Sequence, residues 1–386
     1  MGRKEKALHI SFDYPDDLNP HKPKAVKNLI EQANRLDNFV ISLNRTGNPF
    51  QEKTINNPNL CELKIFAPPF GVFLYIFLKR AARKIMKLLS EQEYKPDIVH
   101  GHKLTYEGII AYEIWKRYAV PYVCTVRGNT DMQVLNWKPG YRKLYQRIVA
   151  NSEFLFIIAP WIVGELKKKL VFCEKKTAFL PNFVTFPQKK VAGERSTSNK
   201  IISIFHLDGF RNKNIARLIK AVDLLNDEGF DLELHIAGKG KSKTKILEMI
   251  EKTKRRSHFR LLGHIKNEEL PSFLVNYFSL AMPSIRESFG IVYLEALSCG
   301  LPILYSKNRG MDGYFSGYLV GESVNPLSVN DIKDKITKIF LNQTKYRSEV
   351  LRMKSEHGLE RFTRASVAKT YEDQIINAVQ RYKLLR

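Results

Sequence analysis

The chain has 386 residues, a formal net charge of +24 and an ordinary share of apolar residues. That length favours two domains, and that composition excludes a disordered chain. The positive charge falls on both halves, so it is not one basic tail, and it calls for an anionic partner: nucleic acid, an anionic membrane face or phosphorylated substrates. The four cysteines, Cys61, Cys124, Cys173 and Cys299, have neither CxxC nor zinc-ligand spacing. They read as isolated, mostly buried thiols of a reducing compartment. Ala7–Phe12 is too short for a signal-peptide core. The longest apolar run, Ile65–Leu78, contains Pro68 and Pro69 and falls short of the ~20 residues of a spanning helix. A cytoplasmic protein is expected.

In chain order, short β-branched runs alternate with amphipathic stretches, the pattern of parallel sheets with helical crossovers. Strands are predicted at 7–12, 39–43, 97–101, 122–126, 154–159 and 177–180. Helices fill the gaps at 24–35, 74–90, 105–118, 141–150 and 161–170. The stretch 71–90 carries Lys79, Arg80, Arg83, Lys84 and Lys87 on one side and Leu74, Leu78, Ala82, Ile85 and Leu89 on the other. Such a helix suits either an anionic membrane surface or the core of its own domain. Residues 187–199 are polar and without period, an interdomain linker. The alternation restarts at Lys200 and runs to about residue 341. The predicted fold is therefore two facing, doubly wound Rossmann-like α/β domains with ligands in the cleft at the carboxyl ends of the strands. The expected boundaries are 1–186 for the first domain, 187–199 for the linker, 200–360 for the second domain and 361–386 for a final helix.

The most informative segment is Pro283–Ser306. A strand ends near Pro283, the loop Ser284–Gly290 follows, and a helix starts at about Ile291 and stops at Gly300. Glu287 precedes the helix and Glu295 lies in its second turn, so both carboxylates can face one cleft. The amides of Ser288, Phe289 and Gly290 form a helix N-terminus that can take a sugar or phosphate oxygen. The same spacing also fits two surface glutamates flanking a packed helix.

Glu287 and Glu295, with Pro283-Ser284, Ser288-Phe289-Gly290, Ala296 and Cys299-Gly300-Leu301-Pro302, resemble the E-x7-E segment of the retaining glycosyltransferases of family 4, which have the GT-B fold. The resemblance covers most of the second half and, more weakly, the first. It implies that Glu287 contacts the donor sugar and Glu295 the nucleotide ribose. The family places a basic pair after the first strand of this domain, against the donor diphosphate. Here Lys213 fits the lysine and Arg211 takes the arginine's role, because Asp208 stands near the arginine's usual place. Gly238, in Ala237-Gly238-Lys239-Gly240, and His264, after Gly263, correspond to segments near the nucleotide. Asn308–Gly313 corresponds to a glycine-rich loop near the donor.

In the first half, Asp97–His102 and Tyr122–Asp131 resemble two strand ends that open into the cleft. Arg127 stands where the family has histidine; a guanidinium cannot act as a base at neutral pH, so it would orient an anionic acceptor or stabilise the leaving phosphate. His102 and Lys24, the latter in a basic, proline-stiffened loop, are expected to contact the acceptor. The implied activity is metal-independent hexosyl transfer with retention from a nucleotide sugar, UDP-linked by family frequency, to a polysaccharide or lipid-linked glycan in cell-surface glycan synthesis such as capsule or lipopolysaccharide. No cofactor is expected, since there is no DxD motif and no pyridoxal-phosphate lysine motif. Peripheral contact with an anionic membrane is expected through 71–90. The alternatives are a small polar acceptor, a sugar-nucleotide epimerase of the same fold, or a basic nucleic-acid-binding protein; the last lacks any recognition motif.

Overall fold

A computed structural model describes residues 3–186, 197–266 and 268–384. Most of the expected linker, residues 187–196, lies outside the described residues. The chain divides into two compact units. One holds Met1–Ile158, Ile162–Asn182 and Arg364–Arg386; the other holds Ala159–Trp161 and Phe183–Thr363.

The first unit is built on one sheet of eight strands: β1 (Lys6–Ser11), β2 (Asp37–Thr46), β3 (Lys53–Asn57), β4 (Leu60–Phe66), β5 (Ile98–Gly101), β6 (Tyr122–Val126), β7 (Phe154–Ile157) and β8 (Thr177–Phe179). Their order is β3-β4-β2-β1-β5-β6-β7-β8. Every pair is parallel except β3 on β4. Helices cover both faces of such a sheet, so its central strands are apolar on both sides: Leu8, Ile10, Ile41, Val99 and Val123 are all fully buried. The sequence reading missed β3 and β4. The first is a polar edge strand, paired on one side only, which needs no apolar face. The second ends inside the apolar run at Ile65–Phe66, which it shares with the start of a helix.

That helix, Leu74–Glu91, buries Leu74, Leu78, Ala81, Ala82, Ile85 and Leu89 and packs on the helix Glu107–Tyr118. The apolar stripe that a bilayer could have taken is thus committed to the core. Among the described residues no helix is long and apolar enough to cross a membrane.

The last helix, Arg364–Leu384, belongs to the first unit. Glu372 accepts from the backbone N–H of Arg35 at 2.6 Å, and the Tyr382 hydroxyl donates to Ala119 O at 2.8 Å. The fully buried Tyr371 hydroxyl is 3.0 Å from Nδ1 of His100, on β5.

The second unit has six strands: β9 (Lys200–Ile204), β10 (Glu233–Ala237), β11 (Phe259–Gly263), β12 (Ser279–Ala281), β13 (Ile303–Ser306) and β14 (Gly321–Val324). All are parallel, in the order β11-β10-β9-β12-β13-β14. This is the doubly wound order of dinucleotide-binding sheets, in which the chain reverses direction between its first and fourth strands. Here the reversal falls between β9 and β12. In the first unit it falls between β1 and β5. Those two places define where the site is to be sought.

Tyr371→Phe leaves a buried imidazole nitrogen without its partner. Urea unfolding should show a loss of ~1–3 kcal/mol, with the slope against denaturant unchanged.

Candidate active site

In the second unit two loops meet at the strand reversal. The loop after β9 runs from His206 to Asn214, and that after β12 from Met282 to Gly290. They are tied by backbone and side chain. Ile285 N donates to Asn212 O at 2.8 Å, and Asn212 Nδ2 donates to Arg286 O at 2.8 Å. Asn214 stands in the left-handed region at φ 60°, which asparagine tolerates, and its amide donates to Pro283 O and Pro326 O. This bracing puts Lys213 and Glu287 in direct contact, Nζ to Oε2 2.5 Å, with both side chains mostly buried. Gly310 N donates to Glu287 O. At φ 55°, with a Cβ that would sit 3.0 Å from Glu287 Cγ, Gly310 is where the Asn308–Gly313 loop crosses the glutamate.

Asp208, which replaces the expected arginine, has a structural role. Its carboxylate accepts from Ser242 N at 2.8 Å, a bond that holds it below the usual carboxylate range. It thereby joins the loop after β9 to the loop after β10. The same junction needs Gly238: at φ 150° its Cβ would lie 1.8 Å from Phe205 O. Gly238 N donates to Gly263 O, which brings the exposed His264 loop alongside. Arg211 is exposed, its guanidinium 5.6 Å from the Phe210 ring centre.

The helix Ile291–Ser298 begins after Gly290, at φ 82°. Phe289 is buried and packs edge-on against Tyr314 and Phe362, so Phe289 can serve a ligand only through its backbone. Glu295 lines a cavity of about 410 Å³ together with Phe183, Glu268, Ile291, Ser298 and Cys299. Burial raises its carboxyl above the ordinary value. Glu287 is not part of that cavity's lining, so the two glutamates do not share one pocket wall.

In the first unit the loops after β1, β5 and β6 bring together Asp13, Lys103, Glu107, Arg127 and Asp131. Lys103 pairs with Asp13 at 2.7 Å. Asp131 receives Thr105 N, Thr105 Oγ1 and Arg127 N. Arg127 Nε donates to His102 O at 3.2 Å. Glu107 is fully buried; one oxygen accepts from Phe12 N, the other has no partner among the described residues, and burial raises its carboxyl to about 7. Lys24 is exposed beside the helix Ala25–Gln32. Its neighbour Lys22 is instead buried against Asp16 at 3.0 Å, with further bonds to Ser42 and Leu43. The sequence reading passed over Asp13, Lys103 and Glu107 as site residues. Their partners are distant in the chain, and the one signal available was that they closely follow strand ends.

His102 does not face solvent. It is fully buried in a stack with His9 and His100. The hydrogen bonds fix its tautomer. Asn38 donates its amide to Ala33 O, so its oxygen accepts from His9 Nε2–H. His9 Nδ1 must then accept from His102 Nε2–H, at 3.1 Å. This leaves a bare lone pair on His102 Nδ1, which has no partner among the described residues. Nitrogens of the three rings lie within 4.8 Å of one another. A metal ion would have to displace these bonds, together with those from His100 to Tyr371 and Thr125. The donor set fits a hydrogen-bonded core better than a metal site. Burial holds all three rings neutral, with His9 lowered to about 4.

Comparison with known proteins gives a consistent picture. Residues 186–354 match the family described as Glycosyl transferases group 1, and residues 24–186 match Glycosyltransferase Family 4. An uncharacterized glycosyltransferase of Methanocaldococcus jannaschii is 26% identical over 91% of either chain. The N-acetyl-alpha-D-glucosaminyl L-malate synthase of Bacillus anthracis is 24% identical over 90% of each. Among solved structures, sucrose-phosphate synthase from Thermosynechococcus elongatus superposes with a TM-score of 0.69, covering 97% of this chain and 99% of its own at 16% identity. That likeness identifies the fold as GT-B.

The histidine stack generates a pH dependence. Its folded-state values lie below the unfolded 6.5, so the unfolded chain binds more protons, and the stabilisation is complete above pH 6.5 and lost as pH falls. Glu107 has the opposite sign, its contribution being lost as pH rises from 4.5 to about 7. Urea unfolding should therefore weaken between pH 6 and 5. His100→Gln should flatten that slope by about one proton, ~1.4 kcal/mol per pH unit.

Proposed function

The chain belongs to the family-4 glycosyltransferases, and from that premise we propose that it moves a hexosyl group from a UDP-sugar, with retention, to a polysaccharide or lipid-linked glycan acceptor. The observation that carries this reading is the contact of Lys213 with Glu287 at the strand reversal of the second unit. A cation and a carboxylate held there can divide the donor between them. The diphosphate takes Lys213, Arg211 and the N–H groups of Ser288, Phe289 and Gly290. The sugar hydroxyls take Glu287, and the ribose takes Glu295 in its neighbouring cavity. Before donor arrives, Glu287 keeps Lys213 compensated, so no unpaired cation is buried.

In the proposed step, the bond from the anomeric carbon to the diphosphate oxygen breaks, and its electron pair goes to the diphosphate. The acceptor oxygen bonds to the same face of the carbon. Its proton passes to the departing phosphate oxygen. The chain's part is positioning and stabilisation of the charge developing on the leaving group. Lys213 and Arg211 supply that charge in place of a divalent metal, and Arg127 faces the acceptor. Val72, Phe73 and Ile76, exposed beside Arg80 and Arg83, add a peripheral contact with an anionic membrane. The malate synthase relative supports a second reading, a small anionic acceptor held by the same basic residues.

A thermal-shift screen with UDP, GDP, ADP and TDP tests the donor assignment. UDP should give the dominant shift. Lys213→Met should weaken UDP by about 10- to 100-fold, the equivalent of one charge-assisted bond. Glu287→Gln should not weaken UDP, because it removes the carboxylate that the diphosphate must displace from Lys213, and should lower kcat by ~100-fold or more. Activity should survive chelator, and the product's anomeric proton coupling should match the donor's. A screen in which folded protein responds to no nucleotide rejects the reading.

A further inference from the structure

A second cavity, of about 230 Å³, opens in the first unit. Its walls are Ile65, Ala67, Val72, Leu74, Phe77 and Leu78, from the end of β4 and the start of the helix Leu74–Glu91. Its inner side is Phe12 and Tyr106, from the loops after β1 and β5. It therefore lies at the strand reversal of this unit, where doubly wound sheets hold ligands. It is too apolar for a sugar and smaller than the ~300 Å³ of a small-molecule site, a size that suits a segment of chain.

Two cations stand in its wall. Lys103 is paired with Asp13. Arg45 donates to the carbonyls of Ala67 and Pro68 at 2.9 and 2.5 Å. Those bonds fix the guanidinium without cancelling its charge. From the cavity the apolar surface continues outward through Val72, 48% exposed, to Phe73 and Ile76. An apolar slot, a fixed cation in its wall and an apolar approach are complementary to one kind of molecule.

We infer that this cavity takes the hydrocarbon segment of an amphiphilic acceptor whose anionic head group lies against Arg45 and Lys103, so that the acceptor is a phosphate-bearing lipid. The inference rests on the glycosyl-transfer reading and specifies its acceptor class. The slot excludes water from the chain segment and leaves the head group at the carboxyl edge of the sheet, beside Arg127 and Glu107.

The test is calorimetric titration of the full chain with hexyl, octyl and decyl phosphate below their micellar concentrations, with inorganic phosphate and uncharged decyl maltoside as controls. Affinity should rise about fourfold per added methylene until the slot is full. Decyl maltoside should bind at least tenfold more weakly than decyl phosphate, and inorganic phosphate should not saturate. Val72→Asp, at the half-exposed mouth, and Ala67→Trp, which fills the slot, should each weaken decyl phosphate at least tenfold. Both variants should keep the parent's thermal shift with UDP, which shows that they fold. Affinity independent of chain length, or unchanged in both variants, overturns the inference. If UDP binds and decyl phosphate does not, the lipid acceptor fails and the donor reading stands. If decyl phosphate binds as expected and no nucleotide does, the slot stands and the donor reading fails.

Discussion

A parallel sheet buried on both faces has almost nowhere to put an ionisable side chain except beyond the ends of its strands. Both units of this chain largely obey that constraint, the buried His9 and His100 within β1 and β5 and Glu62 within β4 being exceptions, and the candidate chemistry follows from it. Leu8, Ile10, Val99, Ile201, Ile202 and Leu280 fill the strands, and the charged groups gather where the strands stop. Loops from neighbouring strands usually lead away to opposite faces only at the point where strand order reverses. Between β9 and β12 that gap is occupied by Lys213 and Glu287. Between β1 and β5 it is flanked by Asp13 and Lys103.

At these edges the lysines are pre-paired, while Arg211 and Arg45 are not held by a carboxylate that the described residues show. Lys213, Lys103 and Lys22 are each mostly buried, and each is held by a carboxylate. Removing one partner of such a pair costs ~3–5 kcal/mol, because the other charge is left buried and alone. A phosphate ligand that approaches Lys213 must therefore replace or share Glu287, and the released carboxylate needs hydroxyl partners. A nucleotide sugar brings both the phosphate and the hydroxyls. A free inorganic anion brings only the first. Pre-pairing thus favours the donor over simple anions, and the exposed cations, such as Arg80, Arg83 and Lys87, are left to act at longer range.

The two-sheet architecture is legible in the sequence because doubly buried strands are apolar runs and their crossovers are amphipathic. Among the elements that escape, β3 is polar at an edge and β14, Gly321-Glu322-Ser323-Val324, has little apolar pattern, while β4 merges with the apolar run that leads into the next helix. In the second unit Glu287, Glu295 and Lys213 lie on local segments that carry the family resemblance, which points to them where spacing alone fits two surface glutamates as well. In the first unit the cluster is assembled from loops nearly a hundred residues apart, as in Asp13 with Lys103, and no local pattern announces such a pair. His102 is the instructive case. Its place after β5 is readable, but whether the ring turns out or in depends on His9 and Asn38, and it turns in.

That inward turn bears on where the acceptor's proton can go. His9, His100 and His102 are neutral, and a proton on any of them would be buried beside Arg127, whose charge already disfavours it at His100 and His102. The stack is a poor proton acceptor for the same reason that it is a good core: each ring is desolvated, and its donors and acceptors are mostly committed in a chain that starts at Asn38. Arg127 stands where the family resemblance would place a histidine, and its guanidinium, already protonated, cannot take up a proton. Glu107 is raised to about 7, close to neutrality, yet one of its oxygens is held by the Phe12 amide and neither reaches solvent. The carboxylates Asp13 and Asp131 are each committed, to Lys103 and to the Thr105 and Arg127 N–H groups, so under the proposed transfer the proton would pass to the oxygen that the donor itself releases. A phosphate oxygen becomes more basic as its bond to the sugar breaks, so base and leaving group mature in the same step. Within the proposed function, this favours a front-face transfer, in which Lys213 and Arg211 would stabilise the charge that remains on the diphosphate.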